Sequence, residues 1–402
     1  MPAFIEGLVC RECGALQSDM ERQFRCTGCN GFLEARYDMA AIRRHLDRST
    51  LAARRGGVWR FREVLPVRDD ANIVSLKEGG TPLLRSRRIG RALGMANLYF
   101  KDLTRNPTYS FKDYSSTVSI SKAKEIGVPA LAVMSAGNGA SSVSAYCAAA
   151  GIPFHAMMLP NAYEGMITQC MVYGANGYML DGIGADVWPP VSKLIQERGW
   201  MDSGVPINPY RAEGKKIIGY EICEDLDWQA PDRIVCPTAG GASILGLTKA
   251  FSELKALAWI DGGAKLDCVQ AESCAPVVEA WRSGGPIKPA QNPNSIAIGL
   301  LAANPGAGRY LVDAIRGSGG AGVTVNDQEI KAAQLSLAKD EALYVEPSSA
   351  AALAGLKRLR EAGVVGDDER VVLLLTGAGI KASEIASSYV PRPVPFAVRG
   401  AT

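Results

Sequence analysis

The chain has 402 residues, 47% apolar and 21% charged, with 44 basic against 41 acidic side chains and a formal charge of +3. This is the profile of an ordinary globular protein with room for two or three domains and a large core. So near a charge balance excludes a broad nucleic-acid-binding face, and no apolar run approaches the ~18 residues of a membrane span. The two histidines, His45 and His155, stand in unrelated contexts, which argues against a His-rich metal site and a Ser-His-Asp triad. The first residues lack the charged start and apolar stretch of an export signal, so a cytoplasmic setting is expected.

In chain order, the first feature is Cys10, Cys13, Cys26 and Cys29, spaced C-x2-C-x12-C-x2-C. Two close pairs separated by a hairpin-length segment suit one tetrahedral zinc ion, with Gly14 and Gly28 helping the chain turn. The module, residues 1–38, is small, so metal is expected to supply much of its stability. Its alternatives are two disulfides, which a reducing compartment disfavours, or a ribbon that holds no metal. Four thiolates would leave no open coordination position, so the role would be structural. The other six cysteines read as scattered buried thiols. Residues 39–70, with Arg43-Arg44 and Arg54-Arg55, read as a helix followed by a linker.

From about residue 73 the pattern becomes strand, turn and helix, repeated. Apolar runs at 130–134, 154–159, 233–236, 267–270 and 371–375 read as strands. Their alternation with helical stretches predicts an α/β protein with parallel sheets. Gly317–Gly322 looks like a phosphate loop but reads better as a turn, because Val323-Thr324-Val325 and an Asn326–Glu329 capping box follow. The Pro391–Pro395 tail is expected at the surface.

Four segments carry chemistry. Lys112 sits after a turn, within Asn106-Pro107-Thr108-Tyr109-Ser110-Phe111-Lys112-Asp113. Ser135-Ala136-Gly137-Asn138-Gly139 and Thr238-Ala239-Gly240-Gly241-Ala242-Ser243 both occupy strand-to-helix turns, where backbone donors can hold an anion. Thr376-Gly377-Ala378-Gly379 follows the last strong strand and can offer one hydroxyl to a heterocyclic nitrogen. A lysine, an anion turn and a hydroxyl together describe a pyridoxal phosphate (PLP) site.

The chain resembles the threonine synthase family of fold-type II, tryptophan synthase β-like PLP enzymes. The resemblance runs from end to end. It rests on the ribbon, Glu78-Gly79-Gly80-Thr81-Pro82-Leu83, the Asn106–Asp113 segment, Asn208-Pro209-Tyr210-Arg211-Ala212-Glu213-Gly214-Lys215, Glu346-Pro347-Ser348-Ser349-Ala350-Ala351 and Leu375–Lys381. It implies a two-lobed fold, with residues 39–112 and 206–402 in a large cofactor-binding lobe and 113–205 in a small one. It implies a homodimer, a small amino-acid substrate, and neither nucleic acid nor membrane as partner. It makes Lys112 the Schiff-base lysine and proton carrier, and Asn138 the partner of the ring oxygen. Gly240, Gly241, Ala242 and Ser243 would hold the cofactor phosphate, and Thr376 would face the pyridine nitrogen. Thr108, Ser110 and Ser135 would bind the substrate carboxylate or neighbouring groups. Arg211 would bind a substrate phosphate, the alternative being a salt bridge with Glu213 or another acid.

The sequence departs from the family pattern at Tyr109 (usually Gly), Tyr114 (usually Arg), Gly139 (usually Thr), Ala378 (usually His) and in the T-A-G-G-A-S loop. These changes add a ring beside Lys112 and remove polar donors. Each lost charge-assisted bond is worth roughly 1.5–3 kcal/mol. The expected activity is a lyase that eliminates the γ-phosphate of O-phospho-L-homoserine and adds water at Cβ to give L-threonine. The alternatives are a related lyase or β-replacement enzyme acting on O-phospho-L-serine or a hydroxy amino acid, and a non-catalytic PLP-binding sensor.

Overall fold

The computed structural model describes residues 3–54, 56–135, 137–182, 187–204 and 208–394. Arg55, Ala136, Pro395 and the lobe boundary at 205–206, named above, lie outside the described residues. Three sheets form the frame. Strands β1 (Ile5–Cys10), β2 (Leu16–Gln17) and β3 (Leu33–Tyr37) make an antiparallel sheet in the order β2-β1-β3. Strands β4 (Leu83–Arg85) and β5 (Leu98–Asp102) belong to a second, six-stranded sheet. A third sheet, all parallel, is built wholly from the intervening residues. It comprises β6 (Leu131–Ser135), β7 (Phe154–Met158), β8 (Asn176–Met179) and β9 (Met201–Asp202), in the order β8-β7-β6-β9. The six-stranded sheet is completed by β10 (Arg233–Pro237), β11 (Lys265–Ala271), β12 (Gly322–Val325) and β13 (Val371–Leu375).

Its order is β12-β11-β10-β13-β5-β4, parallel except for the edge strand β4. Strands β10 and β13 are buried at every position, as their continuous apolar sequences require when helices cover both faces. Because β10, β13 and β5 are parallel neighbours, their C-terminal ends open on the same side. The segments that follow them carry Gly240–Ser243, Thr376 and Lys112 in turn. Ligands of open α/β sheets bind at this edge.

Two expectations change. Residues 58–67 are no linker: Val58, Phe61, Val64, Leu65 and Val67 are fully buried, and so are Arg62 and Glu63. Arg54 satisfies Glu63 with two bonds of 2.8 and 2.6 Å. The ribbon is also not a free-standing module. Ile5, Leu8, Ala35 and Tyr37 share one hydrophobic core with Ile217 and Tyr220. Tyr37 donates to Glu213 at 2.8 Å, and Glu213 is held by Lys216 at 2.7 Å and Lys249 at 2.6 Å. Body packing and buried ion pairs therefore support the ribbon alongside any metal. Gly317–Gly322 is a turn, the Asn326 capping box is present, and Pro391–Val394 is exposed, as read from sequence. Among the described residues, no helix is long and apolar enough to cross a membrane.

Candidate active site

Lys112 opens the helix Lys112–Glu125, and the loop before it is clamped at several points. Phe111 N–H donates to the Thr376 carbonyl at 2.9 Å, Ser110 bridges to Gly377, and Ala378 N–H donates to the Tyr109 carbonyl at 3.0 Å. Tyr109 takes φ +61°, a conformation that favours glycine, and leaves 53% of its surface exposed. This backbone explains why a glycine would be comfortable there. Asp113, buried, accepts from the Thr108 amide at 2.7 Å, the Thr108 hydroxyl at 2.5 Å and Ser142 at 2.6 Å. Lys381 ties the same loop to two further helices, donating to the Thr108 carbonyl at 2.8 Å, Ser141 at 3.1 Å and Gln169 at 2.7 Å.

Lys112 is partly exposed, and its ammonium stands 4.7 Å from the Phe111 ring centroid. Burial, then the nearby Arg211 charge, hold its pKa down at about 8, against the opposing pull of Glu346. Glu346 accepts both its side-chain bonds from Asn138 Nδ2, each at 2.8 Å. Burial pushes its pKa up, and the Asn138 bonds partly offset this. Glu346 N–H donates to Gly377 O at 3.0 Å, so Glu346 and Asn138 are set beside the Thr376 loop. The buried Asn138 Oδ1 has no partner among the described residues.

The anion turn follows β10. Gly241 takes φ +81°, and a Cβ there would come 2.2 Å from Leu311, so only glycine fits. The helix Ala242–Ala256 starts at once, with no side-chain cap on its first amides. Such uncapped donors suit a phosphate. Arg211, on the helix Tyr210–Asp225, shares a small cavity wall with Ala242. It exposes only 3% of its surface, and its Nε and Nη1 have no partner among the described residues. The salt bridge with Glu213 is absent: that carboxylate serves Tyr37, Lys216 and Lys249 instead.

The structure thus brings together Lys112, Ser110, Asn138 and Thr376, and places Arg211 by the turn of Gly241 and Ala242. Ser243 is buried in the first turn of that helix, and Ser135 accepts from Gly137 N–H at 3.2 Å beside Asn138. The Thr108 hydroxyl is committed to Asp113, so its donor is already in use. Tyr114 does not border the substrate region. It is fully buried and donates to Glu221 at 2.6 Å beside Thr81. A Cβ at Gly139 would meet Ser135 Oγ at 2.9 Å, so a side chain there would crowd this serine. Glu346, Lys381 and Lys215 escaped assignment from sequence, although all three lie in quoted motifs.

The residues fit PLP by two tests: a glycine-only turn leading into an uncapped helix, and buried polar atoms of Asn138 and Arg211 without partners. At the other end of the chain, the four ribbon sulfurs lie within 4.8 Å of one another and could hold a metal ion.

Residues 74–377 match the family described as pyridoxal-phosphate dependent enzyme, and the chain belongs to that family. Solved structures agree on the fold. Maize serine racemase superposes with a TM-score of 0.65 at 22% identity, covering 77% of this chain and 91% of that one. A threonine deaminase from Solanum lycopersicum gives 0.64 at 19% identity, covering 77% and 88%. Among curated relatives, the threonine synthase of Methanocaldococcus jannaschii is 39% identical over 390 residues, covering 96% of this chain and 95% of that enzyme. That of Methanosarcina acetivorans is 39% identical over 378 residues, covering 93% and 92%. The protein is a fold-type II, PLP-dependent lyase with threonine synthase-like function.

A depressed Lys112 pKa has a kinetic consequence. If Lys112 is the lysine that would hold the cofactor, as the family resemblance implies, only its neutral amine could do so, and uptake would speed up as pH rises through the pKa. The rate of PLP uptake by cofactor-free enzyme should level off above about pH 8. A rate still climbing beyond pH 10 would show an ordinary surface-like lysine.

Proposed function

We propose that this enzyme converts O-phospho-L-homoserine to L-threonine. The observation that carries the reading is Arg211, in the N-P-Y-R-A-E-G segment: buried, with Nε and Nη1 unpartnered among the described residues, and near enough to Lys112 for its charge to act there. A buried guanidinium without a carboxylate costs several kcal/mol, a cost that an anionic substrate group offsets. Relatives named threonine synthase that match over nearly the whole chain support it.

PLP, when bound, supplies an electron sink for negative charge developing beside its imine carbon. Lys112 would hold it covalently and then carry protons at Cα and Cβ, for which a pKa near neutrality is suited. Asn138 would turn its amide from Glu346 toward the ring oxygen. Thr376 would meet the ring nitrogen with a neutral hydroxyl, and the turn of Gly240, Gly241, Ala242 and Ser243 would take the cofactor phosphate. Ser110 and Ser135 would bind the substrate carboxylate, with Thr108 shaping the loop through Asp113. The lobe division at 113–205 agrees with a third sheet drawn only from residues 131–202.

The deciding experiment measures phosphate release and threonine formation from O-phospho-L-homoserine, with O-phospho-L-serine in parallel. Threonine formation that disappears in Lys112→Ala is the expected result. Turnover of O-phospho-L-serine alone would overturn the substrate assignment.

The ribbon would hold a structural zinc ion. A tetrahedral ZnS4 centre with ~2.3 Å bonds has sulfur–sulfur edges of ~3.8 Å. Here Cys10–Cys29 is 3.5 Å and Cys13–Cys26 is 3.7 Å, far beyond the ~2.05 Å of a disulfide. Metal analysis should find about one zinc per chain in the wild type, lost in Cys10→Ser. Metal-free protein of unchanged stability would overturn this role. A homodimer follows from the family resemblance, and light scattering that gives a monomer would contradict it.

A further inference from the structure

We propose that Lys215 joins Arg211 to form a two-cation seat for a phosphate dianion beside Lys112. The substrate part of the proposal rests on the function proposed above; the seat itself does not. Arg211 and Lys215 are spaced i and i+4 on the helix Tyr210–Asp225, so they lie on one face, one turn apart. Like charges in this relation repel, and both are buried: Arg211 exposes 3% and Lys215 1%. Among the described residues, neither forms an ion pair with a carboxylate.

The surroundings deepen the imbalance. Among the described residues, Lys215 Nζ donates only to the carbonyl of Phe111, a neutral acceptor, and lies 3.3 Å from the centroid of the Phe111 ring. Lys112 approaches the same ring. One acceptor leaves two ammonium protons of Lys215 to be used. Its Cβ packs in the first turns of the helix Ala242–Ala256, where a Cβ on Gly246 would come within 2.8 Å of it. So three cations and an uncapped helix N-terminus converge. Nearby carboxylates are committed elsewhere: Asp113 to Thr108 and Ser142, and Glu346 to Asn138. Asp202, on β9, lies within electrostatic reach of Arg211 and burial pushes its pKa up to about 6, but among the described residues it forms no hydrogen bond or ion pair with that guanidinium. Burial, then Lys112 and Arg211, force the Lys215 pKa well down, and a phosphate would reverse that shift. A second cation also answers the loss of polar donors at Gly139 and in the T-A-G-G-A-S loop.

The phosphate can belong to substrate or cofactor, and one set of variants separates them. Inorganic phosphate is titrated into holoenzyme and followed through the cofactor's absorption band, for wild type, Lys215→Met and Lys215→Arg. PLP affinity is measured for each, together with KM and kcat for O-phospho-L-homoserine. For a substrate seat, Lys215→Met weakens inorganic phosphate binding and raises KM by about tenfold or more, PLP affinity holds, and Lys215→Arg recovers most of the loss. For a cofactor seat, PLP affinity falls by a similar factor, and inorganic phosphate competes with PLP. If Lys215→Met fails to fold, Lys215→Gln replaces it. Phosphate and PLP constants both within about twofold of wild type overturn the proposal and leave Lys215 as a clamp on the Phe111 carbonyl. Lys215-dependent phosphate binding in an enzyme inert toward O-phospho-L-homoserine would overturn the substrate assignment while supporting the seat.

Discussion

Buried positive charge without matching carboxylates is the constraint on which this site depends. Lys112, half-buried, gathers with the buried Arg211 and Lys215 where burial opposes charge, and at the two lysines the neighbouring cations oppose it further. A protein interior tolerates such a group when an anion completes it, because the unpaired state costs several kcal/mol per ion. The contrast within the same helix is instructive. Lys216, the next residue, is just as buried but is held by both Glu213 and Glu253. The paired Lys216 lies over Tyr37 of the ribbon; Lys215, without a carboxylate partner among the described residues, lies within reach of the Lys112 charge.

The rest of the frame holds that arrangement in place. Parallel order in β10, β13 and β5 puts three functional loops on one edge. The Asp113 and Lys381 networks then fix the Lys112 loop against helices from the third sheet's segment. Glu346 keeps the Asn138 amide beside the site, with its oxygen still unpartnered. These are bonds between groups far apart in sequence, so the site forms only when both parallel sheets have formed.

Much of this was legible in the sequence, and the gaps have physical causes. Strands β6, β7, β10, β11 and β13 stand out as apolar runs because both faces are covered. Motif spacing located Lys112, Asn138, Gly241 and Thr376. Residues 58–67 misled because the charged stretch 39–70, with Arg43-Arg44 and Arg54-Arg55, read as a helix and linker; only the folded chain brings Arg54 to Glu63 and Asp70 to Arg62. Tyr114 differs for the opposite reason: it follows the Asn106–Asp113 motif, but two residues along the helix from Lys112 its side chain turns into the core, onto Glu221. The four-residue spacing of Arg211 and Lys215 was on view. What was hidden was that Glu213, two residues from Arg211, is claimed by other partners.

The most direct test of this account compares ligands that differ only in phosphate. Cofactor-free enzyme is titrated with PLP, with pyridoxal, and with pyridoxal plus inorganic phosphate, and its thermal unfolding is followed. A ligand that binds only the native state raises the midpoint with its concentration. The account predicts a large rise with PLP, a small one with pyridoxal, and partial recovery when inorganic phosphate is added. Equal rises with PLP and pyridoxal would contradict it, because the buried cations would then have no phosphate to hold.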